Sequence, residues 1–303
     1  MRLIFAGTPD AAVPSLEALS ASAHEVVRVV TRPPAPLGRK RVLTPSPVQR
    51  AAERLGLPVL PAARLDPEAT EVLAADGADL AVVVAYGGLV REPLLSAPRH
   101  GWVNLHFSLL PRWRGAAPVQ RALIAGDEVV GVDVFRLEAG LDTGPVIGEQ
   151  RVPVDALETA GALLDRLSRV GAEVLVDAVD RIADGTAVLR EQEGEPVLAP
   201  KLGLQDGRLD WTEPAARVFA RYRGCTPEPG AWTVVGERRL KVLDAVPAPA
   251  TTRLAPGEVE AGGAVLVGCA DGALQLVRVQ PEGRPAMAAA DWLRGASAAV
   301  RFS

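Results

Sequence analysis

The sequence contains few cysteines, histidines and aromatic residues, and each shortage narrows the chemistry that is available. Its 303 residues include two cysteines, three histidines and 4% aromatic residues. Cys225 and Cys269 match no metal-ligand spacing, so we expect no metal site. Any imidazole base must be His24, His100 or His106.

Long apolar segments are also absent. No run approaches the ~18 apolar residues that a membrane-spanning helix needs. The chain reaches Asp10 after a short apolar stretch, which is not typical of a signal peptide. We therefore expect a cytoplasmic protein without membrane contacts. The net charge of −4 argues against general coating of nucleic acid, so any contact with RNA must be local.

Apolar runs alternate with helix-like stretches along the first part of the chain. Strand-like segments at 3–6, 25–31 and 78–86 are separated by helix-like segments at 11–20 and 47–55. This alternation predicts βαβ units and a mostly parallel sheet. The third strand-like segment is almost continuously apolar, as expected of a strand that is covered on both faces.

The remainder of the chain shows a different pattern. Apolar residues recur at helical spacing over 157–182, with a break expected at Gly171 and an end at Gly185. Residues 189–204 mix charge, glycine and proline without a sustained period, which predicts a linker. Strand-like segments follow at 232–235, 240–246, 257–259, 264–269 and 273–279. They predict a smaller all-β barrel.

Asn104 and His106 stand at the end of another apolar run. Side chains at i and i+2 leave the same face of a strand, ~6 to 7 Å apart along it. An amide beside a titratable imidazole can polarise a carbonyl and move a proton. From the residues alone, a turn-capping Asn104 and a structural, half-buried His106 remain the alternative. Asp142, between Gly140 and Gly144, is likewise either a partner for an imidazole or the capping residue of a turn.

Several motifs together are similar to those of a known superfamily. In chain order they span 5–10, 44–48, 82–87, 104–115, 140–144 and 209–211. They resemble the formyltransferases that use 10-formyltetrahydrofolate, and most closely those that formylate methionyl initiator tRNA. The resemblance covers essentially the whole chain. Phe107 departs from it, because a small residue is usual there, and so does Arg91, where proline is common.

The resemblance implies the fold, the domains and the reaction. A Rossmann-like formyltransferase domain with a mostly parallel sheet is expected over 1–188 and a linker over 189–204. A smaller, open β-barrel of the oligonucleotide-binding type, which would bind tRNA, is expected over 205–303. The implied reaction transfers formyl from 10-formyltetrahydrofolate to the α-amino group of methionyl initiator tRNA. The amine attacks directly through a tetrahedral intermediate, and the enzyme is a monomer that needs no metal.

The resemblance also implies the site residues. Asn104, His106 and Asp142 would be catalytic: the first as a donor to the oxyanion, the second in proton transfer, and the third in orienting the imidazole. The residues that would bind the folate are Tyr86, Gly87, Leu89, Ser108, Leu109, Leu110, Pro111 and Gly140.

Residues 26–52 contain six basic residues and no acidic one, in a chain of negative net charge. Such a segment is typical of phosphate binding, with an ordinary solvated loop as the alternative. In the family that the chain resembles, an insertion here enters the acceptor-stem region of the initiator tRNA. Arg39, Lys40 and Arg41 align with its basic tip.

Other functions are open at this point. Formylation of an amino sugar nucleotide or of a purine intermediate fits the same three catalytic residues. The purine enzymes usually have one domain, however, and we do not expect the basic tip in the sugar enzymes. An inactive module that binds folate or RNA is disfavoured because the three residues are intact. A dinucleotide oxidoreductase is disfavoured because the turn after the first strand has only Gly7 of the glycine motif.

Overall fold

The computed structural model describes residues 1–38, 41–249, 252–296 and 300–303, which form two compact units. The first unit consists of residues 1–118, 129–152 and 164–199, and the second of residues 119–128, 153–163 and 200–303. Within the described ranges, no helix combines the length and the apolar character that crossing a bilayer requires.

The first unit is built on a seven-stranded sheet. All strands described in this unit, including four outside that sheet, are, in chain order, β1 (Arg2–Gly7), β2 (Glu25–Thr31), β3 (Ala35–Leu37), β4 (Val42–Thr44), β5 (Val59–Pro61), β6 (Leu80–Val84), β7 (Trp102–His106), β8 (Arg114–Gly115), β9 (Val129–Arg136), β10 (Val146–Pro153) and β11 (Leu198–Ala199). The order in the sheet is β10-β9-β7-β6-β1-β2-β5. Five neighbouring strands of this sheet, β5, β2, β1, β6 and β7, run parallel to one another, and β9 is antiparallel to β7. The predicted mostly parallel α/β fold is confirmed.

Five α-helices are described in the same part of the chain: α1 (Val13–Ala21), α2 (Pro47–Arg54), α3 (Pro67–Ala75), α4 (Pro118–Ala125) and α5 (Ala160–Ala183). Most of α4 and the first residues of α5 belong to the second unit. Two of the five helices begin with a side-chain cap followed by proline. Ser46 accepts a hydrogen bond from the Gln49 amide at 2.9 Å before α2, and Asp66 accepts one from the Ala69 amide at 2.9 Å before α3. These caps satisfy amides that have no partner within the helix, and proline fits the first turn.

The strands beneath the site are anchored in the core. Every residue of β6 is buried, as its apolar run predicted. Trp102 and Tyr86 are almost fully buried, and both satisfy their polar atoms: the indole donates to the Leu94 carbonyl at 2.8 Å and the phenol to the Ala62 carbonyl at 2.7 Å. Buried rings whose polar atoms are paired keep the full benefit of burial. They fix the end of β6 and the start of β7.

The predicted break at Gly171 was wrong, because α5 continues through it. A Cβ atom at this position would lie 2.9 Å from a methyl group of the Leu105 side chain on β7. The glycine therefore serves close packing of the helix on the sheet, at the usual helical cost of ~1 kcal/mol. The helix ends at Ala183, and Gly185 follows with φ +70°, as expected of a helix stop.

Besides most of α4 and the start of α5, the described residues of the second unit form six strands and two further α-helices. These are β12 (Ala231–Val235), β13 (Arg238–Pro247), β14 (Val259–Ala261), β15 (Val265–Gly268), β16 (Ala273–Pro281), β17 (Met287–Ala288), α6 (Ala215–Cys225) and α7 (Ala289–Arg294). The strands form a curled antiparallel sheet in the order β12-β13-β16-β15-β14, with β17 on β16. Its core includes Trp211, whose indole donates to Thr233 at 2.8 Å. The predicted open β-barrel is confirmed as a half-barrel.

Candidate active site

A cavity of about 560 Å³ opens in the first unit. This volume lies within the ~300 to 1,000 Å³ that is usual for small-molecule sites. The residues that line it are Val83, Ala85, Tyr86, Gly87, Gly88, Leu89, Val90, Asn104, Leu105, His106, Phe107, Gly115, Ala116, Pro118, Leu137, Glu138, Ala139, Gly140, Leu141 and Asp142. No group of three or more His, Cys, Asp or Glu side chains among the described residues is placed to hold a metal ion.

Asn104 and His106 both line the cavity from β7, as expected of residues on one face of a strand. Their partners across the strand pair are Phe135 and Asp133 on β9, and the Phe135 ring meets the imidazole edge-on at 6.3 Å between centroids. Asn104 Oδ1 is buried, and none of the described groups bonds to it. Leaving a buried acceptor without a hydrogen bond costs ~1 to 3 kcal/mol, so a hydrogen bond from a donor group of a bound ligand would be favourable there.

The contacts of the His106 imidazole define its tautomer. Nε2 lies 2.9 Å from the Trp113 carbonyl oxygen, which can only accept, so Nε2 carries the hydrogen and Nδ1 has the free lone pair. Burial lowers the pKa of His106, while the Asp142 carboxylate and the Trp113 carbonyl oppose that shift. The imidazole is therefore neutral at neutral pH, and Nδ1 can accept a proton.

Asp142 reaches the imidazole from the loop after β9. Its φ of +50° is uncommon for a residue other than glycine, although Asp tolerates it better than most. The Gly115 amide donates to Asp142 Oδ2 at 2.7 Å, and the same oxygen lies 4.0 Å from His106 Nδ1. The carboxylate thus bonds to a residue 27 positions away rather than capping its own turn. It faces the free nitrogen of the imidazole without bonding to it.

Four of the eight predicted folate residues, Tyr86, Gly87, Leu89 and Gly140, line the cavity. Because the Tyr86 hydroxyl is bonded inside the core, this residue offers the cavity mainly its backbone. The Leu89 side chain is 67% exposed and so presents apolar surface that a ligand can cover.

The other four, at 108–111, are not brought into this lining. Ser108 Oγ donates to the Arg112 carbonyl at 2.6 Å, and the Leu110 amide donates to Asp133 Oδ2 at 2.6 Å. Asp133 is fully buried, and burial raises its pKa to about 7. Nothing local in the sequence marks Asp133, because its contact with Leu110 depends on the pairing of β7 with β9.

Three further groups at the site were not predicted. The Trp113 carbonyl and the Gly115 amide hold the catalytic candidates, and both belong to the 104–115 motif of the family resemblance. Gln192 donates to the carbonyls of Asp142 and Gly144, both at 2.8 Å, from within the predicted linker. The motif was a local signal for the first two groups, whereas Gln192 had none.

The basic segment includes a hairpin formed by β3 and β4. Arg41 is exposed at its turn, with φ +50°, whereas Arg39 and Lys40 lie outside the described residues. Earlier in the segment, Arg32 donates from Nη2 to the Gly87 carbonyl at 2.6 Å. This bond joins the base of the hairpin to the cavity wall.

Two family models match this chain. The model described as "Formyl transferase" covers residues 1–179, and the model described as "Formyl transferase, C-terminal domain" covers residues 201–297. With these matches, the α/β fold and its cavity define a formyl transferase.

The relatives narrow this class. The chain is 60% identical over 296 residues to the methionyl-tRNA formyltransferase of Clavibacter michiganensis subsp. michiganensis, which is 97% of this chain and 97% of that protein. The chain belongs to the methionyl-tRNA formyltransferase family.

Solved structures share the fold at lower identity. A HypX variant from Aquifex aeolicus superposes with a TM-score of 0.70 at 19% identity, over 98% of this chain and 48% of that one. The N-formyltransferase from Helicobacter canadensis, in complex with folinic acid and dTDP-3-aminofucose, gives 0.68 at 16% identity, over 92% of this chain and 98% of that one. These likenesses support the fold.

Proposed function

We propose that this chain transfers the formyl group of 10-formyltetrahydrofolate to the α-amino group of methionyl initiator tRNA, with Asn104, His106 and Asp142 as its catalytic residues. The observation that carries the proposal is the convergence of these three side chains on one cavity of about 560 Å³. The transfer forms a bond from the amine nitrogen to the formyl carbon and breaks the bond from that carbon to the folate nitrogen. The proton that the amine loses goes to the folate nitrogen.

His106 moves this proton. Nδ1 is the free basic atom, because Nε2 is bound to the Trp113 carbonyl. Asp142 faces Nδ1 from 4.0 Å and favours the imidazolium that forms while the proton is held. A neutral imidazole flanked by a carboxylate can accept and return a proton within one turnover.

Asn104 binds the reacting groups through its side-chain amide. The amide lies on the same strand face as the imidazole, and its unpartnered Oδ1 leaves capacity for a substrate donor. The amide nitrogen is the donor for the formyl oxygen as negative charge develops there. Loss of one such donor typically costs about a hundredfold to a thousandfold in rate.

The formyl donor fits the remaining wall of the cavity. We propose that Tyr86, Gly87, Leu89 and Gly140 contact its ring system, and that Ser108, Leu109, Leu110 and Pro111 complete the folate-binding set. Asn104 Oδ1 has no hydrogen-bond partner among the described groups, which favours a ligand that carries a hydrogen-bond donor at this end of the cavity.

The domain roles belong to the same proposal. Residues 1–188 form the catalytic domain, 189–204 the linker and 205–303 the tRNA-binding β-barrel; the separate matches at 1–179 and 201–297 support this division. Because formylation of an aminoacyl-tRNA belongs to protein synthesis, we place the enzyme in the cytoplasm. We propose separately that it acts as a monomer.

The direct test offers the protein two acceptors with the same formyl donor: methionyl initiator tRNA and a dTDP-linked amino sugar. Formylation of the tRNA is expected, with kcat/KM at least about a hundredfold above that for the sugar. Equal or preferred formylation of the sugar would overturn the choice of substrate.

The basic hairpin is proposed to select the tRNA. Replacing Arg39, Lys40 and Arg41 by alanine is expected to weaken tRNA binding and to reduce the slope of log affinity against log salt, by about one unit for each phosphate that the hairpin no longer binds. The KM for the formyl donor and the melting temperature should barely change.

The matched control removes three arginines elsewhere on the first unit: Arg151, Arg169 and Arg181. All are exposed and each is paired with a nearby carboxylate. The control changes the net charge equally, so a larger effect on the salt slope in the hairpin variant isolates the hairpin. Equal slopes in the two variants would contradict its role.

Phe107 is expected to shape the donor side of the cavity. It is 7% exposed and lines the wall directly beside His106. Phe107→Gly should change the KM for the formyl donor more than the KM for tRNA, whereas Phe107→Leu, which keeps most of the bulk, should change both less. Steady-state kinetics with each substrate varied in turn measures this, and a change confined to tRNA would contradict the placement.

A further inference from the structure

The side chain of Gln192 uses both ends of its amide at the edge of the candidate site. Its Oε1 accepts two hydrogen bonds from the Arg114 guanidinium, from Nε at 3.1 Å and from Nη2 at 2.6 Å. Its Nε2 donates to the carbonyls of Asp142 and Gly144, both at 2.8 Å. A primary amide has two donor hydrogens and an oxygen with two lone pairs, so Gln192 is saturated. The guanidinium needs an acceptor and the carbonyls need donors, so the amide orientation is also fixed.

The two groups that Gln192 joins flank the Asp142 carboxylate. Arg114 immediately precedes Gly115, whose amide donates to Asp142 Oδ2 at 2.7 Å. On the other side, Gln192 bonds to the backbone of Asp142 itself, which holds φ +50°. An unfavourable backbone angle persists only where surrounding contacts impose it. The Gln192 amide therefore connects Asp142 with β8, the strand whose Gly115 amide donates to the Asp142 carboxylate.

The segment around Gln192 is anchored on both sides. Before it, Arg190 exchanges two backbone hydrogen bonds with Val146, at 2.8 and 2.9 Å. After it, the Val197 amide donates to the Pro111 carbonyl at 3.1 Å, and the Arg114 amide donates to the Val197 carbonyl at 2.8 Å. The neighbours Glu191 and Glu193 are exposed, so apolar packing of these two side chains does not hold the segment in place.

We infer that Gln192 is a positioning residue for formyl transfer, which holds the backbone of Asp142 against the β8 strand so that its carboxylate faces His106. The inference rests on the proposed catalytic role of Asp142. Gln192 itself touches neither substrate nor a reacting atom. A displacement of ~1 Å in a catalytic group can cost up to about a hundredfold in rate.

The variant Gln192→Met keeps the length of the side chain and removes all four hydrogen bonds. We expect it to lower kcat about tenfold to a hundredfold while the KM values for formyl donor and tRNA stay within about twofold. Gln150→Met is the matched control, because Gln150 is exposed, lies in the same unit and bonds only to the adjacent Arg151 carbonyl among the contacts described for it. It should retain wild-type kcat.

Gln192→Glu separates the two ends of the amide and serves as the second variant if the methionine variant does not fold. The carboxylate keeps an acceptor for Arg114 but places an anionic oxygen against the carbonyls of Asp142 and Gly144. It should therefore lower kcat at least as much as Gln192→Met. Wild-type kcat with Gln192→Glu would overturn the inference, because the tie to Asp142 would then be unnecessary.

The deciding measurement combines Gln192→Met with Asp142→Ala under single-turnover conditions with excess enzyme. If Gln192 acts through Asp142, the methionine change costs less than about twofold once the carboxylate is absent. An undiminished cost in that background would overturn the inference and leave the role of Asp142 standing. Wild-type rate in Asp142→Ala alone would instead refute the proposed catalytic role, and the inference with it.

Discussion

Replacement of His106 by alanine is expected to lower kcat for formyl transfer at least about a hundredfold, because the site loses the imidazole that moves the proton. His106 is the one histidine that lines the cavity among the residues described. His100 lies outside the lining, so His100→Ala is the matched control and should keep wild-type turnover. Circular dichroism should show both variants folded. A His106 variant that turns over at nearly the wild-type rate would remove this residue from the mechanism.

The same prediction extends to the two residues that act with the imidazole. Asn104→Ala and Asp142→Ala should each cause a loss of similar size, and the double and triple variants should lose much less than the product of the single effects. This follows because the three groups act on one transition state. Single-turnover rates across the full set of variants measure the coupling. Losses that multiply would mean that the three residues do not form one unit.

The second large effect concerns stability and involves Asp133. This carboxyl is fully buried, and its Oδ1 bonds to none of the described groups. Burial is the main cause that raises its pKa to about 7, whereas the Leu110 amide opposes the shift. A carboxyl with a raised pKa binds its proton more tightly in the folded state than in the unfolded state. The folded state is therefore favoured at low pH, and that advantage is lost as the pH rises toward the folded pKa.

The expected size follows from the two pKa values. Between about pH 5 and pH 8, the titration of Asp133 should lower the unfolding free energy of the wild type by about 2 to 3 kcal/mol. This contribution should be absent in Asp133→Asn, because asparagine does not titrate. Urea unfolding of both proteins at the two pH values gives the difference. Asp165→Asn is the control, because Asp165 is exposed in an ion pair with Arg169. Parallel pH dependence of wild type and Asp133→Asn would show that Asp133 does not titrate in this range.

The parts of the fold that follow from local pattern were predictable. The almost continuous apolar run that became β6 predicted a buried strand, and the spacing of Asn104 and His106 predicted that they share a face. Gly171 misled the prediction because a glycine that ends a helix and a glycine that lets a helix approach a strand look alike until the neighbour, here Leu105, is known.

The supports of the site were not predictable for a related reason. Gln192 and Asp142 are 50 residues apart in the chain, and Asp133 and Leu110 are 23 apart. Neither pair has a periodic or motif signal, because each contact depends on how strands and loops meet after folding. The catalytic candidates could be named from the family resemblance, but the atoms that hold them required coordinates.

The 113–115 segment holds the imidazole and the carboxylate by main-chain atoms alone, the Trp113 carbonyl and the Gly115 amide. Every amino acid supplies the same carbonyl, but Trp113 holds φ +63°, so only a side chain that accepts a left-handed backbone can replace the indole and leave the hydrogen-bond acceptor of His106 in place. This contact thus depends on the backbone angle at position 113 and on the length of the segment. Inserting or deleting one residue between Trp113 and Gly115 moves one anchor by about 3.3 Å relative to the other. Such a change would move the His106 imidazole away from the Asp142 carboxylate even though every catalytic side chain remained.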